Sequence, residues 1–347
     1  MPIPKPIFST AKPSPVVFSV IIPTLNEEKF IGQCLSALAG QTLPLEQFEL
    51  IVVDNGSQDR TLDVIAECRS MFRITVIRKA KCSISEARDA AASLAKGSFL
   101  VFLDADCLPS PDWLQRALEL VRRGDGGVIG AFYTIPDNST WVAKAWYGDL
   151  ARVRTGPVSY VPSGTLFIDR SVFHKLGGFD PALRTSEDFE FCQRVAAAHY
   201  QVLSYPELST VHLGTPQTLK SFYQKQRWHG TGIRTVCGRN IMNRGFLSTI
   251  LYTLLVSLCL VGALVGFPVA LLTGHPSIFV APSGILVLSS FAMATKGAIR
   301  RGSVRLILPL TVLFTVYGVA RSIALLGFTT ARDRQVAVAQ SRAATAD

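Results

Sequence analysis

The chain has 347 residues, enough for one large domain with an appendage or for two modest domains. Hydrophobic residues make up 48% of it and are concentrated after residue 245, which argues against a purely soluble protein. The net charge of +10 is also uneven, with −2 on residues 1–207 and +12 on residues 208–347, where basic residues alternate with apolar runs. This pattern indicates membrane lipids as a partner and argues against nucleic acid.

Residues 1–15 are rich in proline and lack the apolar stretch of a signal peptide. We interpret them as a disordered leader, and we expect the domain that follows to stay in the cytosol. The seven cysteines are scattered singly, without a CxxC pair or a zinc-ligand spacing, so reduced thiols are expected.

Strands and helices are predicted to alternate through the first hundred residues. The predicted elements are strand 16–22 (ended by Pro23), helix 27–38, strand 48–53, a helix from Thr61, strand 74–78, helix 84–95 and strand 98–103. Such an alternation predicts an α/β fold with a mostly parallel sheet, whose ligands bind at the carboxyl ends of the strands. No GxGxxG follows the first strand, which argues against a Rossmann dehydrogenase.

The strand at 98–103 is followed directly by Asp104-Ala105-Asp106. Two carboxylates at this spacing can converge on one hard divalent cation, and such a cation would neutralise a substrate diphosphate. The alternative is a loop that merely caps the next helix, but the position at a strand end favours the metal site.

The strand at 48–53 is followed by Asp54. A carboxylate at the mouth of a sheet can accept a hydrogen bond from a nucleobase or a ribose. The alternative is a simple turn in which Asp59 caps the helix from Thr61, and both interpretations can hold because two different residues are involved.

Four blocks of the sequence together resemble the family-2 glycosyltransferases in order and spacing. The blocks are Pro23–Glu27, Val52–Thr61, Ala87–Asp106 and Gly177–Val195, and the resemblance covers about residues 16–230. Two positions depart from the family pattern, since Asp89 stands where Asn is frequent and Cys82 where Gly is common. These departures could alter donor choice.

The resemblance implies a GT-A fold, a Rossmann-like nucleotide-sugar-binding domain, and Mg²⁺ or Mn²⁺ as the cofactor. It implies that Asp54 contacts the nucleobase, that Asp104 and Asp106 hold the cation, and that Glu187-Asp188 carries the general base. The nucleotide-sugar site that it implies consists of Pro23, Thr24, Asn26, Glu27, Asp54, Arg88, Asp104, Ala105 and Gly164.

Inverting transfer needs one carboxylate to accept the proton of the attacking acceptor hydroxyl. We predict that Asp188 is this base, with Glu187 beside it. The alternative is that Asp188 stabilises the N-terminus of a helix that starts near Phe189. Gly164 lies in a small-residue turn near the donor sugar, or makes only a tight turn. His212 is a candidate third metal ligand, although a lone histidine is more often structural.

Residues 224–228 spell QxxRW, which resembles the signature of processive polysaccharide synthases. In that interpretation Gln224, Arg227 and Trp228 border the acceptor site. The alternative is an amphipathic helix at the membrane surface, and both can hold at once. A channel that translocates a polysaccharide needs more than three membrane spans, so the three or fewer predicted here argue against a processive synthase.

The C-terminal part contains three apolar segments, 246–273, 277–295 and 306–328. Basic residues lie between the second and third segments and also before the first, at Arg234, Arg239 and Arg244. Because cytosolic loops are enriched in basic residues, we predict that the first span starts in the cytosol and the second span ends there. The third segment contains Arg321 and precedes a basic tail, so a full span and a re-entrant or interfacial helix both remain open.

The sequence thus predicts a leader (1–15), a GT-A catalytic domain (16–215), a basic amphipathic interfacial region (216–245), a membrane region of two to three helices (246–328) and a basic tail (329–347). The predicted protein is a multi-pass inner-membrane enzyme with a cytosolic catalytic domain. It is expected to transfer a sugar, from a UDP-sugar by preference, to a lipid-linked or membrane-proximal glycan acceptor in cell-envelope or exopolysaccharide synthesis. A polyprenyl-phosphate sugar synthase, a short-chain polysaccharide synthase and an inactive membrane scaffold are the alternatives.

Overall fold

The computed structural model describes residues 16–70, 74–124, 127–148, 150, 154–183, 185–231 and 244–327. The predicted leader, the basic tail, Arg234 and Arg239 lie outside these ranges. The chain divides into two compact units, which we call the sheet unit and the helical unit. The sheet unit comprises Met1–Thr134, Leu150–Ala182 and Glu187–Gly214, and the helical unit comprises Ile135–Asp149, Leu183–Ser186 and Thr215–Asp347.

The described part of the sheet unit contains ten strands. They are β1 (Phe18–Thr24), β2 (Phe48–Asp54), β3 (Ile74–Arg78), β4 (Phe99–Leu103), β5 (Cys107–Leu108), β6 (Val128–Gly130), β7 (Gly156–Pro157), β8 (Thr165–Asp169), β9 (Val202–Ser204) and β10 (Val211–His212). Eight of them form one sheet in the order β3-β2-β1-β4-β8-β6-β9-β7, and β5 pairs with β10 separately. Only β8 and β7 run antiparallel to their neighbours in the large sheet, which matches the mostly parallel α/β prediction.

Six α-helices lie in the described part of the sheet unit. They are α1 (Ile31–Ala39), α2 (Thr61–Glu67), α3 (Ile84–Leu94), α4 (Trp113–Arg123), α6 (Arg170–Lys175) and α7 (Glu187–Ala197). The sequence predicted the helix of residues 27–38 four residues too early. The reason is that the backbone N–H groups of Glu27 and Glu28 are bonded to the side chains of Thr61 and Asp59, which hold this segment as a turn.

Strand β1 runs to Thr24, so Pro23 does not end it as predicted. Its pairing with β4 stops at Ile21, whereas its pairing with β2 continues to Thr24. Because the N–H that proline lacks lies beyond the β4 ladder, the strand tolerates Pro23 near its end.

Apolar side chains fill both faces of the large sheet. Alternate residues of β1 point to opposite faces, with Val20 packing in the cluster of α1 and α4 and Ile21 in the cluster of α3 and α7. The six cysteines that the structure describes are buried and free, as predicted.

The described part of the helical unit is composed of helices. They are α5 (Trp141–Tyr147), α8 (Leu219–Gly230), α9 (Arg244–Thr273), α10 (Ser277–Arg300) and α11 (Ile307–Leu325). Three segments are long and apolar enough to cross a membrane, namely Leu247–Thr273, Ser277–Arg300 and Val304–Leu325.

Candidate active site

The sheet topology brings the predicted polar residues to one edge of the sheet. Asp54 ends β2 in register with Thr24 at the end of β1, and Asp104 directly follows β4. Gly164 precedes β8, which is antiparallel to β4, so it lies at the same edge as Asp104. Carboxyl ends of parallel strands are where α/β sheets bind their ligands.

Asp54 is buried at this edge and organises the loop after β2. Its carboxylate accepts hydrogen bonds from the N–H groups of Gly56 (3.3 Å) and Ser57 (3.1 Å). The Arg78 guanidinium lies 3.5 Å from the carboxylate oxygen that accepts from Gly56. The Asp54 carboxylate is therefore held in a fixed orientation.

The loop after β1 is tied to the loop after β2. Asn26 has a positive φ of 57° and accepts a hydrogen bond from the N–H of Gln58. Thr24 is buried beside Val53, and Pro23 precedes it in the same strand. Pro23 and Thr24 thus lie beside the end of β2, and Asn26 and Glu27 lie beside the residues that follow Asp54.

A buried arginine joins the two acidic motifs. The Arg88 guanidinium, on α3, donates to Asp104 (2.8 Å) and to Glu187 (2.7 Å). Burial alone would lower the pKa of Arg88, but the charges of Asp104 and Glu187 raise it. Arg88, which was assigned to the nucleotide sugar, is 1% exposed and engaged by these carboxylates, so we propose that it positions them.

The phenol of Tyr133 is a site residue that the sequence analysis missed. Its hydroxyl donates to Asp104 (2.9 Å) and accepts from the N–H of Gly164 (3.2 Å). Burial and the charge of Asp104 raise the pKa of Tyr133 well above its ordinary value, which keeps the phenol protonated. The only sequence signal was its place three residues after β6, at the same edge of the sheet.

Gly164 lies so close to Asp104 that a side chain would not fit. A Cβ atom at this position would be 2.3 Å from the Asp104 carboxylate and 2.3 Å from the Tyr133 hydroxyl. Ala105 is buried between the two aspartates of the motif.

We predict that Gly164→Ala lowers kcat/KM by about 100-fold, because displacement of Asp104 by about 1 Å is enough for a loss of this size. Gly40→Ala is the matched control, since a Cβ there meets only ordinary contacts at 3.7 Å. Steady-state kinetics of both variants check the prediction, and equal activities would contradict it.

Asp104, Asp106, Cys107 and His212 bring potential metal ligands within 4.8 Å of one another. The pairing of β5 with β10 sets His212 opposite Cys107, and the His212 imidazole lies 3.6 Å from the Asp106 carboxylate. A Cβ atom on Gly214 would be 2.0 Å from that carboxylate, so the site depends on a glycine there. Carboxylates are the ligands that Mg²⁺ and Mn²⁺ prefer, and a buried thiol is not. The donor set therefore fits the predicted ion through Asp104 and Asp106, with His212 as a third candidate.

Asp188 lies at the start of α7, beside Glu187. Its carboxylate accepts hydrogen bonds from the N–H groups of Phe189 (2.7 Å) and Ser163 (3.2 Å). Burial and the charge of Glu187 raise the pKa of Asp188 to about 7. Glu187 itself is engaged by Arg88 and by the Ser163 hydroxyl (3.2 Å), so of the two carboxylates Asp188 is the better candidate for a base.

The QxxRW residues lie on α8 in the helical unit. Gln224 and Trp228 are exposed, and Arg227 is half-buried. The buried amide in this motif is that of Gln226, whose carbonyl accepts a hydrogen bond from Arg321 (3.3 Å). Helix α8 is therefore anchored through the face that carries Gln226, and the predicted acceptor residues lie on its other faces.

Sequence models of two families match the chain, Glycosyl transferase family 2 over residues 19–177 and Glycosyl transferase family group 2 over residues 99–319. Glycosyltransferase AglE of Haloferax volcanii is 28% identical over 207 residues, which cover 57% of this chain and 67% of AglE. The dolichyl N-acetyl-alpha-D-glucosaminyl phosphate 3-beta-D-2,3-diacetamido-2,3-dideoxy-beta-D-glucuronosyltransferase of Methanococcus voltae is 27% identical over 239 residues, which cover 61% of this chain and 71% of that protein.

Among solved structures, one that resembles the chain is the mannosyltransferase PcManGT from Pyrobaculum calidifontis in complex with GDP-Man and Mn²⁺. The TM-score is 0.59 at 18% sequence identity, and the match covers 92% of this chain and 90% of that one. At this identity the likeness shows the fold, and it confirms the predicted α/β architecture.

Proposed function

Because the chain belongs to glycosyl transferase family group 2, and is therefore a glycosyltransferase with a GT-A fold, we propose that it is an inverting, metal-dependent enzyme. The proposed donor is a nucleoside-diphosphate sugar, a UDP-sugar by preference. The observation that supports this most is the meeting of Asp104 and Asp106 with Arg88, Glu187 and Asp188 at one sheet edge.

The proposed reaction uses Asp188 as the base. The acceptor hydroxyl gives its proton to the Asp188 carboxylate while its oxygen bonds to the anomeric carbon of the donor sugar. The bond from that carbon to the diphosphate breaks, and its electron pair leaves with the diphosphate. A divalent cation held by Asp104 and Asp106, with His212, would neutralise the charge that develops on this leaving group. Arg88 keeps Asp104 and Glu187 in place during these steps.

The carboxylate of Asp188 must be ionised to act, so kcat/KM should rise with pH through about 7. Because its pKa is raised from 3.8, the protonated form favours the folded state. The Asp188 contribution to the free energy of unfolding should accordingly fall as pH rises from about 4 to about 7. The pH dependence of kcat/KM measures the first effect.

Asp89 is the control for this pH profile, because burial also raises its pKa, to about 6. Its carboxylate accepts the N–H of Phe179 (3.1 Å), a bond that an asparagine amide oxygen can also accept. Asp89→Asn should therefore keep the rise near pH 7. Loss of that rise in this variant would contradict the assignment to Asp188.

The donor can be identified by thermal unfolding of the purified full chain with a panel of UDP- and GDP-sugars, each with and without Mn²⁺. A bound ligand raises the unfolding temperature through mass action. We expect stabilisation by nucleotide sugars of one base only, and only with Mn²⁺. If no nucleotide sugar of the panel stabilised the chain, the result would favour the alternative of an inactive membrane scaffold.

The proposed acceptor is a lipid-linked or membrane-proximal glycan, and the proposed location is the inner (cytoplasmic) membrane, with the catalytic domain in the cytosol. Support comes from the apolar helices of the helical unit and from the acceptor named for the Methanococcus voltae relative, a dolichyl phosphate sugar. Gln224, Arg227 and Trp228 on α8 are the proposed acceptor-side residues. The proposed domain limits remain those predicted from the sequence.

A further inference from the structure

Helices α9 and α10 form a regular antiparallel hairpin. Gly266 is packed against Ile278, Gly262 against Pro282, and the Tyr252 hydroxyl bonds to the Ser290 hydroxyl at 2.8 Å. As the chain moves forward along α10, its partner residues on α9 move backward, so the two helices lie side by side from Gly266 and Ile278 to Tyr252 and Ser290. Both are expected to cross a bilayer together.

Helix α11 meets α9 differently, although it is also long and apolar enough to cross a membrane. The carbonyl of Phe314 accepts from the Tyr252 hydroxyl (2.9 Å), and the Ser322 hydroxyl donates to the carbonyl of Thr253 (3.2 Å). Gly318, which lies between them, packs against Val256.

These contacts define a steep crossing between the two helices. The eight residue steps of α11 from Phe314 to Ser322 cover about 12 Å of helix axis. Their partners on α9 all fall between Tyr252 and Val256 and do not advance along it. The start of α11 also packs on the last turns of α10, where Leu310 contacts Gly297 and clusters with Ala294. Helix α11 thus contacts the hairpin near the end where α9 begins and α10 ends.

The hairpin continues well past this crossing. From residue 257 to Thr273, α9 extends about 25 Å further, most of the roughly 30 Å hydrocarbon thickness of a bilayer. Many apolar side chains of this segment of α9 are exposed, with Leu272 86% exposed and Leu264 77% exposed. The hairpin beyond α11 is therefore apolar and nearly long enough to cross the hydrocarbon by itself.

The basic helix α8 packs along α11. Phe222 shares a cluster with Leu313, Gln226 bonds to Arg321, and Gly230 lies against Ala324. Helix α8 also carries Lys220, Lys225 and Arg227. If α11 crossed the hydrocarbon, it would take these charges with it, which is costly.

The uncovered surface of α11 is one apolar stripe. Leu308, Val312 and Leu326 are exposed, and Thr315 and Val319 between them are half-buried. Their spacing places all five on one side of the helix. Exposed Arg300 and Arg305 lie just before the helix, where they can reach lipid phosphates.

We propose that α11 lies flat in the head-group region of the membrane, with this stripe against the acyl boundary. Only α9 and α10 cross. Both ends of α11 then lie on the same side of the membrane, opposite the His275 loop that joins α9 to α10.

Cysteine labelling in sealed vesicles of known orientation tests this topology. Val304→Cys and Arg332→Cys lie before and after α11 in the chain, and His275→Cys marks the opposite side. All are made in a Cys237→Ser background and treated with a membrane-impermeant maleimide. We expect Val304→Cys and Arg332→Cys to react in one orientation and His275→Cys in the other. Reaction of Arg332→Cys together with His275→Cys would overturn the proposal.

Depth measurements provide a second test that does not depend on accessibility. A fluorophore on Leu308→Cys or Val319→Cys is quenched by lipids that carry spin labels near the head group or deep in the chain. A flat helix gives the same shallow preference at both positions. A spanning helix would separate them by about 16 Å and give opposite preferences, which would overturn the proposal.

Discussion

Asp188→Asn should lower kcat for sugar transfer by about 10²–10⁴-fold, because the amide cannot accept the proton of the acceptor hydroxyl. The Phe189 N–H bond survives in this variant, since an amide oxygen also accepts it. Binding of the nucleotide sugar should stay within a few-fold of the wild type. Steady-state kinetics and thermal stabilisation by the donor measure the two properties separately.

The matched control is Asp63→Asn, whose side chain is 71% exposed on α2. It should leave kcat unchanged. Near-normal turnover by Asp188→Asn would contradict the assignment of the base. It would instead favour the polyprenyl-phosphate synthase alternative, in which the acceptor phosphate is already ionised.

Arg88→Met should destabilise the full chain by about 3–5 kcal/mol, because it leaves the carboxylates of Asp104 and Glu187 near each other without their counter-ion. Thermal unfolding in detergent should show a fall of about 10 °C. Donor-dependent stabilisation should also weaken, since Asp104 loses one of its two anchors.

Arg116→Met is the control for this stability effect. Arg116 pairs with Asp112 on the surface of α4, where its side chain is 46% exposed. Such pairs contribute at most about 1 kcal/mol. Equal losses in the two variants would contradict a special role for the buried arginine.

The sequence predicted the fold well where short-range patterns determine it. Buried β-branched runs and amphipathic spacing predicted the first four strands and their helices, because period and burial are local properties. Pro23 and the start of α1 were placed wrongly, because their outcome depends on β4 and on side chains of the loop after β2.

The candidate site was predictable in its acidic residues and not in what holds them. Asp104, Asp106 and Asp188 belong to motifs, whereas Tyr133 reaches Asp104 through a fold contact between residues 29 positions apart. The partners of Arg88 likewise lie 16 and 99 positions away. Whether α11 spans the membrane stayed open for the same reason, because the composition of a helix does not determine the angle at which it crosses its neighbours.

Binding of Mn²⁺ to the purified chain in the presence of a nucleoside diphosphate, followed by electron paramagnetic resonance, tests the central claim most directly. Wild type should bind one Mn²⁺ per chain. Asp106→Asn should weaken that binding by about 100-fold or more, because even the loss of a residue that only holds a metal ligand in place costs about 10–100-fold. Equal Mn²⁺ affinity in wild type and Asp106→Asn would contradict the proposal that this acidic cluster is the metal centre of the transferase.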